Sequence, residues 1–288
     1  MIRVINAISH PGETLLKLLQ LVRNIRKIGC WELENDLKLK VRKTCLYTFF
    51  LKRYDSQNKV ADIAGHNVKF LTFDNLLFLF NEVFLNQEYC FTTNKKSPFI
   101  IDCGSNIGMS VLYFKMIYPN SEILAFEPDK DAFGCLAENI KANNLHAVLP
   151  NQKALSNKEG SVDFYYDQDN PGSLHMSTLK ERMPKQKQVV EAVRLSKYVD
   201  REVDFLKMDV EGAEQDILED LGKEGKLSYI KQIVIEYHHH IVGDMDVFSQ
   251  ILRLLENAGF GYQIESRLGR PFARQQFQDI IIYAYQKN

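Results

Sequence analysis

Long apolar runs are missing from this sequence. No stretch approaches the roughly 18 consecutive apolar residues that a membrane-spanning helix needs, so no transmembrane segment is expected. Cysteine is scarce and scattered. The five residues (Cys30, Cys45, Cys90, Cys103 and Cys135) are odd in number, and none stands in CxxC spacing. That pattern argues against a disulfide framework or a zinc knuckle and for a reducing compartment. The opening MIRVINAISHPGE lacks the apolar core and cleavage site of a signal peptide, so a cytoplasmic location is expected. An excess of one charge is missing too. Lys and Arg number 36 against 37 Asp and Glu, a net charge of −1 over 288 residues. Such a balance gives no global case for nucleic acid as a partner. There is no internal repeat, no low-complexity tract and no Asn-Pro-Pro-Tyr-type element of the nucleic-acid methylases.

What is present is an ordinary globular composition, 45% hydrophobic and 25% charged, long enough for one large domain or two smaller ones. The charge is unevenly spread. Residues 1–60 carry 12 basic and 5 acidic side chains, whereas residues 98–288 carry 21 and 28. Leu15, Leu18, Leu19, Val22 and Ile25 recur at helical spacing in the basic part, among Lys17, Arg23, Arg26 and Lys27. Such a helix can lie on a membrane surface, or pack on the main domain with its charges in water. A second apolar, aromatic stretch covers residues 71–91. The polar residues 92–98, ending at Pro98, read as a connector. A mainly helical, basic region over 1–94 and a second domain over 95–288 are therefore expected.

From Phe99 onward the chain reads as α/β. Short apolar runs alternate with helical stretches: 99–102, 123–126, 147–155, 203–208 and 233–235. Alternation of this kind implies a parallel sheet covered on both faces. A helix over 248–257 then leads to two strand-like runs, 262–265 and 280–285, that make a terminal hairpin.

The residues that end these runs are polar: Asp102, Glu127, Asp209 and Glu236. In open parallel sheets, ligands bind beyond the carboxyl ends of the strands. Gly104, Ser105, Asn106, Ile107 and Gly108 lie between a strand and a helix, where glycine permits a tight turn and the helix start favours anions. Glu127, 19 residues after Gly108, ends the next strand and can accept bonds from both ribose hydroxyls. The pair reads as a nucleoside site. A dinucleotide fold wants Gly-x-Gly-x-x-Gly, but Asn106 stands where the second glycine would be and no third follows. S-adenosylmethionine has no phosphate; Asp102 suits its ammonium and the loop amides suit its carboxylate. A nicotinamide-dependent oxidoreductase and a non-catalytic nucleoside-binding scaffold are the rival readings.

Four motifs together resemble the FkbM-type methyltransferases, of the class I S-adenosylmethionine-dependent superfamily. They are FIIDCGSNIG (99–108), AFEP (125–128), Ala154-Leu155-Ser156 and LKMDVEGAE (206–214), with residues 86–89 and 236–238 in support. The likeness covers roughly residues 80–285. It implies a Rossmann-like class I methyltransferase fold, a mostly parallel seven-stranded sheet with a C-terminal antiparallel hairpin, and O-methyl transfer to a hydroxyl of a glycan or small natural product. It implies that Asp102, Gly104, Asn106 and Gly108 hold the methionine portion, that Glu127 holds the ribose, and that Ala154 and Leu155 border the adenine. Asp209 would sit beside sulfonium and acceptor. Ser105 replaces the usual alanine and is small enough for the loop.

An acceptor hydroxyl must be deprotonated or polarised for transfer. Asp209, Glu211, Glu236 and His238 are the candidate catalytic residues. Either His238 is the base, oriented by a carboxylate, or Asp209, Glu236 and His238 hold a divalent metal. Glu211 and Glu214 have a plainer alternative, capping the next helix. In an extended strand Glu236 and His238 share a face, whereas His239 turns away. Residues 167–187 are long for a connector and are expected as a lid or an unstructured loop, where Gly172, Ser173 and His175 can meet an acceptor. The basic residues 267–274 suit an anionic sugar or simply face water.

Overall fold

The strands that hold the site are apolar throughout because they are covered on both faces. Phe99–Cys103 (β3) and Val203–Met208 (β9) are buried at every position, including Asp102, Asp204 and Lys207. The computed structural model describes residues 19–24, 26, 34–169, 171–183, 185–241, 247–266 and 278–287. They divide into two compact units, Met1–Glu88 and Tyr89–Asn288.

In the first unit, α1 (Asn35–Thr44) runs on as a wider helical turn through Phe50. A hairpin follows, β1 (Val60–Ile63) with β2 (His66–Lys69). Its two turn residues, Ala64 and Gly65, both have positive φ, as a tight two-residue hairpin requires. Thr44 ties helix to hairpin by accepting the Ala64 amide at 2.7 Å. Thr72 then caps α2 (Phe73–Phe80). Of the front helix expected from the leucine spacing, residues 19–24 are helical; Leu15, Leu18 and Ile25 lie outside the described residues.

The second unit is a seven-stranded sheet in the order β11–β12–β10–β9–β3–β4–β5. Here β4 is Glu122–Phe126, β5 Val148–Asn151, β10 Ile230–His239, β11 Phe260–Ser266 and β12 Gln278–Gln286. All neighbours are parallel except β12, which is antiparallel to both β10 and β11. This is the expected mostly parallel seven-stranded sheet, with its antiparallel C-terminal hairpin. Its last strand is inserted, so β11 forms the edge. Helices α3 (Met109–Ile117), α4 (Lys130–Ala142), α5 (Glu214–Lys223) and α6 (Phe248–Asn257) follow the strands they cross from. Ile101, Leu206, Ile233, Ile282, Ile217 and Leu255 belong to one continuous core.

The apolar run 147–155 is two strands, not one. After β5, the short β6 (Ala154–Leu155) leaves for a second sheet, β6–β8–β7, with β7 (Gly160–Tyr166) and β8 (Gln186–Val193) antiparallel. No helix among the described residues is long and apolar enough to cross a membrane. The basic residues 267–274 lie outside the described residues; β11 ends at Ser266.

Candidate active site

The chain leaves β3 for β4 and β5 on one side, and later fills β9 and β10 on the other. The carboxyl end of β3 is thus the point where strand order reverses, and crevices form there. Gly104 (φ +83), Asn106 (φ +47) and Gly108 (φ +88) turn the chain sharply between β3 and α3. The five backbone N–H groups of this turn all have acceptors. Gly104 and Ser105 donate to the Phe126 carbonyl, Asn106 to Glu127 Oε2, Ile107 to Asn106 Oδ1 and Gly108 to the Ser105 carbonyl. In this conformation the amides serve the turn itself.

Glu127 is buried at the end of β4. Its Oε1 accepts the Asp129 amide and its Oε2 the Asn106 amide, both at 2.8 Å. Burial pushes its carboxyl up to about 8, against the pull of these amides toward the charged form. When the group is ionised, each oxygen keeps a second lone pair for a ligand hydroxyl. Asp102 is fully buried; its Oδ2 accepts the Ser110 hydroxyl at 2.6 Å, and its Oδ1 has no hydrogen bond. Ala154 and Leu155 are buried in β6.

Lys207 is a residue that sequence reasoning passed over. Strand register sets it beside Asp102. Its ammonium donates to the Gly104 carbonyl at 2.5 Å and lies 3.5 Å from Asp102 Oδ1 and 3.3 Å from Asp209 Oδ2. It also stands 5.0 Å from the Tyr89 ring centre. Burial alone would push this ammonium down, but Asp209, Asp102 and Glu236 together hold it above its usual value. A lysine in VDFLKM, a strand apolar but for it and Asp204, was the signal available. Tyr89 was noted only as part of a motif. Its hydroxyl lies 3.4 Å from both Asp209 Oδ2 and Glu236 Oε2.

On the acceptor side, β10 stays extended to His239, so Glu236 and His238 do share a face. His239 lies toward Tyr237 and Phe248. The buried His238 is ringed by carboxylates. Nδ1 is 3.2 Å from Glu214 Oε1, while Nε2 is 3.3 Å from Glu211 Oε2, 3.9 Å from Glu236 Oε1 and 4.0 Å from Asp209 Oδ1. Burial opposes the charged ring, yet Glu211, Glu214 and Glu236 hold it well above its ordinary value. Glu214 also accepts the Gly212 amide at 3.0 Å, so it braces the turn and the imidazole instead of facing water at a helix start. Glu211 has φ +57, and its Oε2 accepts Arg182 Nε at 2.6 Å. Burial first, and then Asp209, push its carboxyl up to about 7 against His238 and Arg182.

Asp209, Glu211 and His238 each offer a metal-ligating atom, all within 4.8 Å of one another. Glu211 takes the place that the sequence offered to Glu236. A divalent ion there would have to displace Arg182 from Glu211 and the proton from His238 Nε2.

The family model of the methyltransferase FkbM domain matches residues 102–262. The chain belongs to the FkbM methyltransferase family. The matched span contains every residue of this cluster except Tyr89. Methyltransferase 1 of Beauveria bassiana (strain ARSEF 2860) is 30% identical over 209 residues, covering 65% of this chain and 82% of that protein. Methyltransferase sdnD of Sordaria araneosa is 31% identical over 215 residues, covering 64% and 81%. The 2-O-methyltransferase NoeI of Sinorhizobium fredii (strain NBRC 101917 / NGR234) is 28% identical over 162 residues, covering 50% and 64%. Methyl transfer is therefore the activity class of this chain.

Proposed function

We propose that the chain is an S-adenosylmethionine-dependent O-methyltransferase acting on a hydroxyl of a glycan or small natural product. One observation carries this reading: at the strand-reversal edge, the Gly104 turn and Glu127 stand beside a carboxylate cluster that can receive a proton. The donor set fits the cofactor. Asp102 Oδ1 is buried without a hydrogen bond, and Asp209 offers a second carboxylate to a cationic ligand. Asp102 would hold the ammonium of the amino-acid end, beside the turn of Gly104, Ser105, Asn106 and Gly108, with Glu127 at the ribose, Ala154 and Leu155 at the adenine, and Asp209 on the side nearest the sulfonium. When bound, S-adenosylmethionine supplies the electrophilic methyl group.

The protein's own task is to orient the acceptor oxygen and take its proton. Asp209 and Glu236, linked through the Tyr89 hydroxyl, orient the acceptor. Glu211 takes the proton, because its carboxyl sits near neutrality, where a base works best. His238 has carboxylates at both ring nitrogens, so it serves as a fixed cation that aligns Glu211 and Glu214. The name of NoeI, a 2-O-methyltransferase, supports oxygen as the acceptor atom. We place this chemistry in residues 95–288, with Tyr89 the one contributor from the segment before them.

Calorimetry with S-adenosylhomocysteine and with NAD tests the cofactor. Binding of the first alone is expected; binding of NAD alone would favour an oxidoreductase. Incubation with 13C-methyl-labelled cofactor and a small-molecule extract should give methoxy carbon signals. Only N-methyl signals would refute oxygen as acceptor, and no transfer to any extract would favour a scaffold.

A further inference from the structure

The segment between β7 and β8 is held over the Glu211–Gly212 turn by three contacts of different kinds. The Ser177 hydroxyl donates to the Glu211 carbonyl. Leu179 lies against Gly212 so closely that a β-carbon there would sit 2.5 Å from Leu179 Cδ1. Arg182 Nε donates to Glu211 Oε2 at 2.6 Å. The segment is anchored in turn to β7, where Ser177 and Tyr165 exchange backbone hydrogen bonds. Residues 171–183 therefore cover the turn as an ordered piece of chain.

Arg182 is the unusual member. Its side chain is only 11% exposed. An arginine on a loop ordinarily keeps its guanidinium in water while its stem lies on apolar surface. Sinking the head against one carboxylate oxygen gives a short, charge-assisted bond with a defined direction. Glu211 Oε2 is then gripped from two sides, by Arg182 Nε and by His238 Nε2. The second grip comes from a strand of the main sheet and is fixed. The first comes from the connection between β7 and β8.

We propose that Arg182 is a positioning residue for methyl transfer. By docking on Glu211 it closes segment 171–183 over the acceptor side and fixes the direction of the Glu211 carboxylate. This rests on the reading of Glu211 as the proton acceptor. In the open state Glu211 loses its guanidinium and faces Asp209 with His238 alone to offset the charge. Return of Arg182 restores both the charge balance and the carboxylate's aim, so closure and alignment become one event, as in other enzymes whose loops complete a site.

Hydrogen exchange on the full chain tests the closure without knowledge of the acceptor. The reporters are the amides of Ser177, Leu179 and Arg182, which are hydrogen-bonded in the closed segment. Arg182→Gln is expected to speed their exchange roughly tenfold or more. Glu211→Gln should do nearly the same, and the double variant should add little. Arg182→Lys should recover part of the protection, as should millimolar guanidinium added to Arg182→Gln. Unchanged exchange in Arg182→Gln, or full additivity of the two substitutions, would overturn the proposal. The positioning role is read from the labelled-methyl assay. Guanidinium should restore the initial rate of Arg182→Gln, and S-adenosylhomocysteine affinity should stay at the wild-type value. Absence of rate rescue alongside rescued exchange would refute positioning while leaving closure standing. A wild-type chain that binds no S-adenosylhomocysteine would sink the cofactor reading alone, since the exchange results do not depend on it.

Discussion

Gly104 faces the backbone carbonyl oxygen of Asp209 so closely that a β-carbon at position 104 would lie 1.7 Å from it. The carbonyl belongs to the end of β9 and cannot swing aside as a side chain would. Position 104 also has φ +83, which L residues rarely adopt. Gly104→Ala should push Asp209 away from the turn. S-adenosylhomocysteine affinity is expected to fall roughly tenfold or more, with a lower melting temperature. Calorimetry and a thermal melt check both, and wild-type values would remove this contact from the site.

Glu127 makes a prediction about pH. Its carboxyl rises from an ordinary 4.5 to about 8 on folding, chiefly through burial. A carboxyl raised in this way binds its proton more tightly in the folded chain. Its contribution to stability is whole below the unfolded value and is lost as pH climbs through the folded one. The wild type should therefore shed stability between these two pH values, and Glu127→Gln should lack that part of the loss. Melting temperatures of both proteins across this window decide it; parallel curves would contradict the assignment. Glu127→Ala should in addition weaken cofactor binding by roughly tenfold, through two lost ribose hydrogen bonds.

Lys207 should be hard to replace. Removing one partner of a buried ion pair leaves the other charge uncompensated, a loss of about 3–5 kcal/mol. Lys207→Met leaves Asp102 and Asp209 without their shared cation and the Gly104 carbonyl without its donor. Urea denaturation should show a loss of this size, and adding Asp102→Asn should recover part of it. A loss below about 1 kcal/mol would place the ammonium in water.

His238→Gln should lower turnover roughly a hundredfold or more while leaving cofactor affinity near the wild-type value. The sign of its pH effect is opposite to that of a histidine buried in its neutral form. With its value raised well above 6.5, the ring's contribution is complete below about 6.5 and fades as pH rises through the folded value. The wild type should lose that contribution on the alkaline side, and the variant should not. If His238 were instead the base, wild-type turnover would fall on acidification through its own raised value, above the fall near 7 that Glu211 gives.

The fold was legible because its signals are local. Apolar runs ending in Asp102, Glu127, Asp209 and Glu236 mark strands leading to one edge, and a residue's place along β10 fixes which face it shares. The second sheet was harder to see. Gln186–Val193 is half exposed, with Lys187, Gln188 and Glu191 interrupting any apolar run, so its strand character depends on pairing with β7. The hairpin Val60–Lys69 is as short and as mixed. In the site, the carboxylates were visible as strand-end residues, but their partners were not. Arg182 comes from a loop 29 residues before Glu211, and no spacing rule connects the two. Glu214 is an unexceptional helix-start residue until His238 arrives from another strand.

The insertion of β12 between β10 and β11 bears on synthesis. The strand that carries Glu236 and His238 borders β9 on one side and β12 on the other. A chain emerging from the ribosome completes His239 long before Gln278 exists. During that interval β10 has an open edge, rows of unpaired amides and carbonyls that invite pairing with another nascent chain. Slow translation between these two points would lengthen the exposure, so codon choice and chaperone supply over residues 240–277 should govern how much active protein a cell recovers.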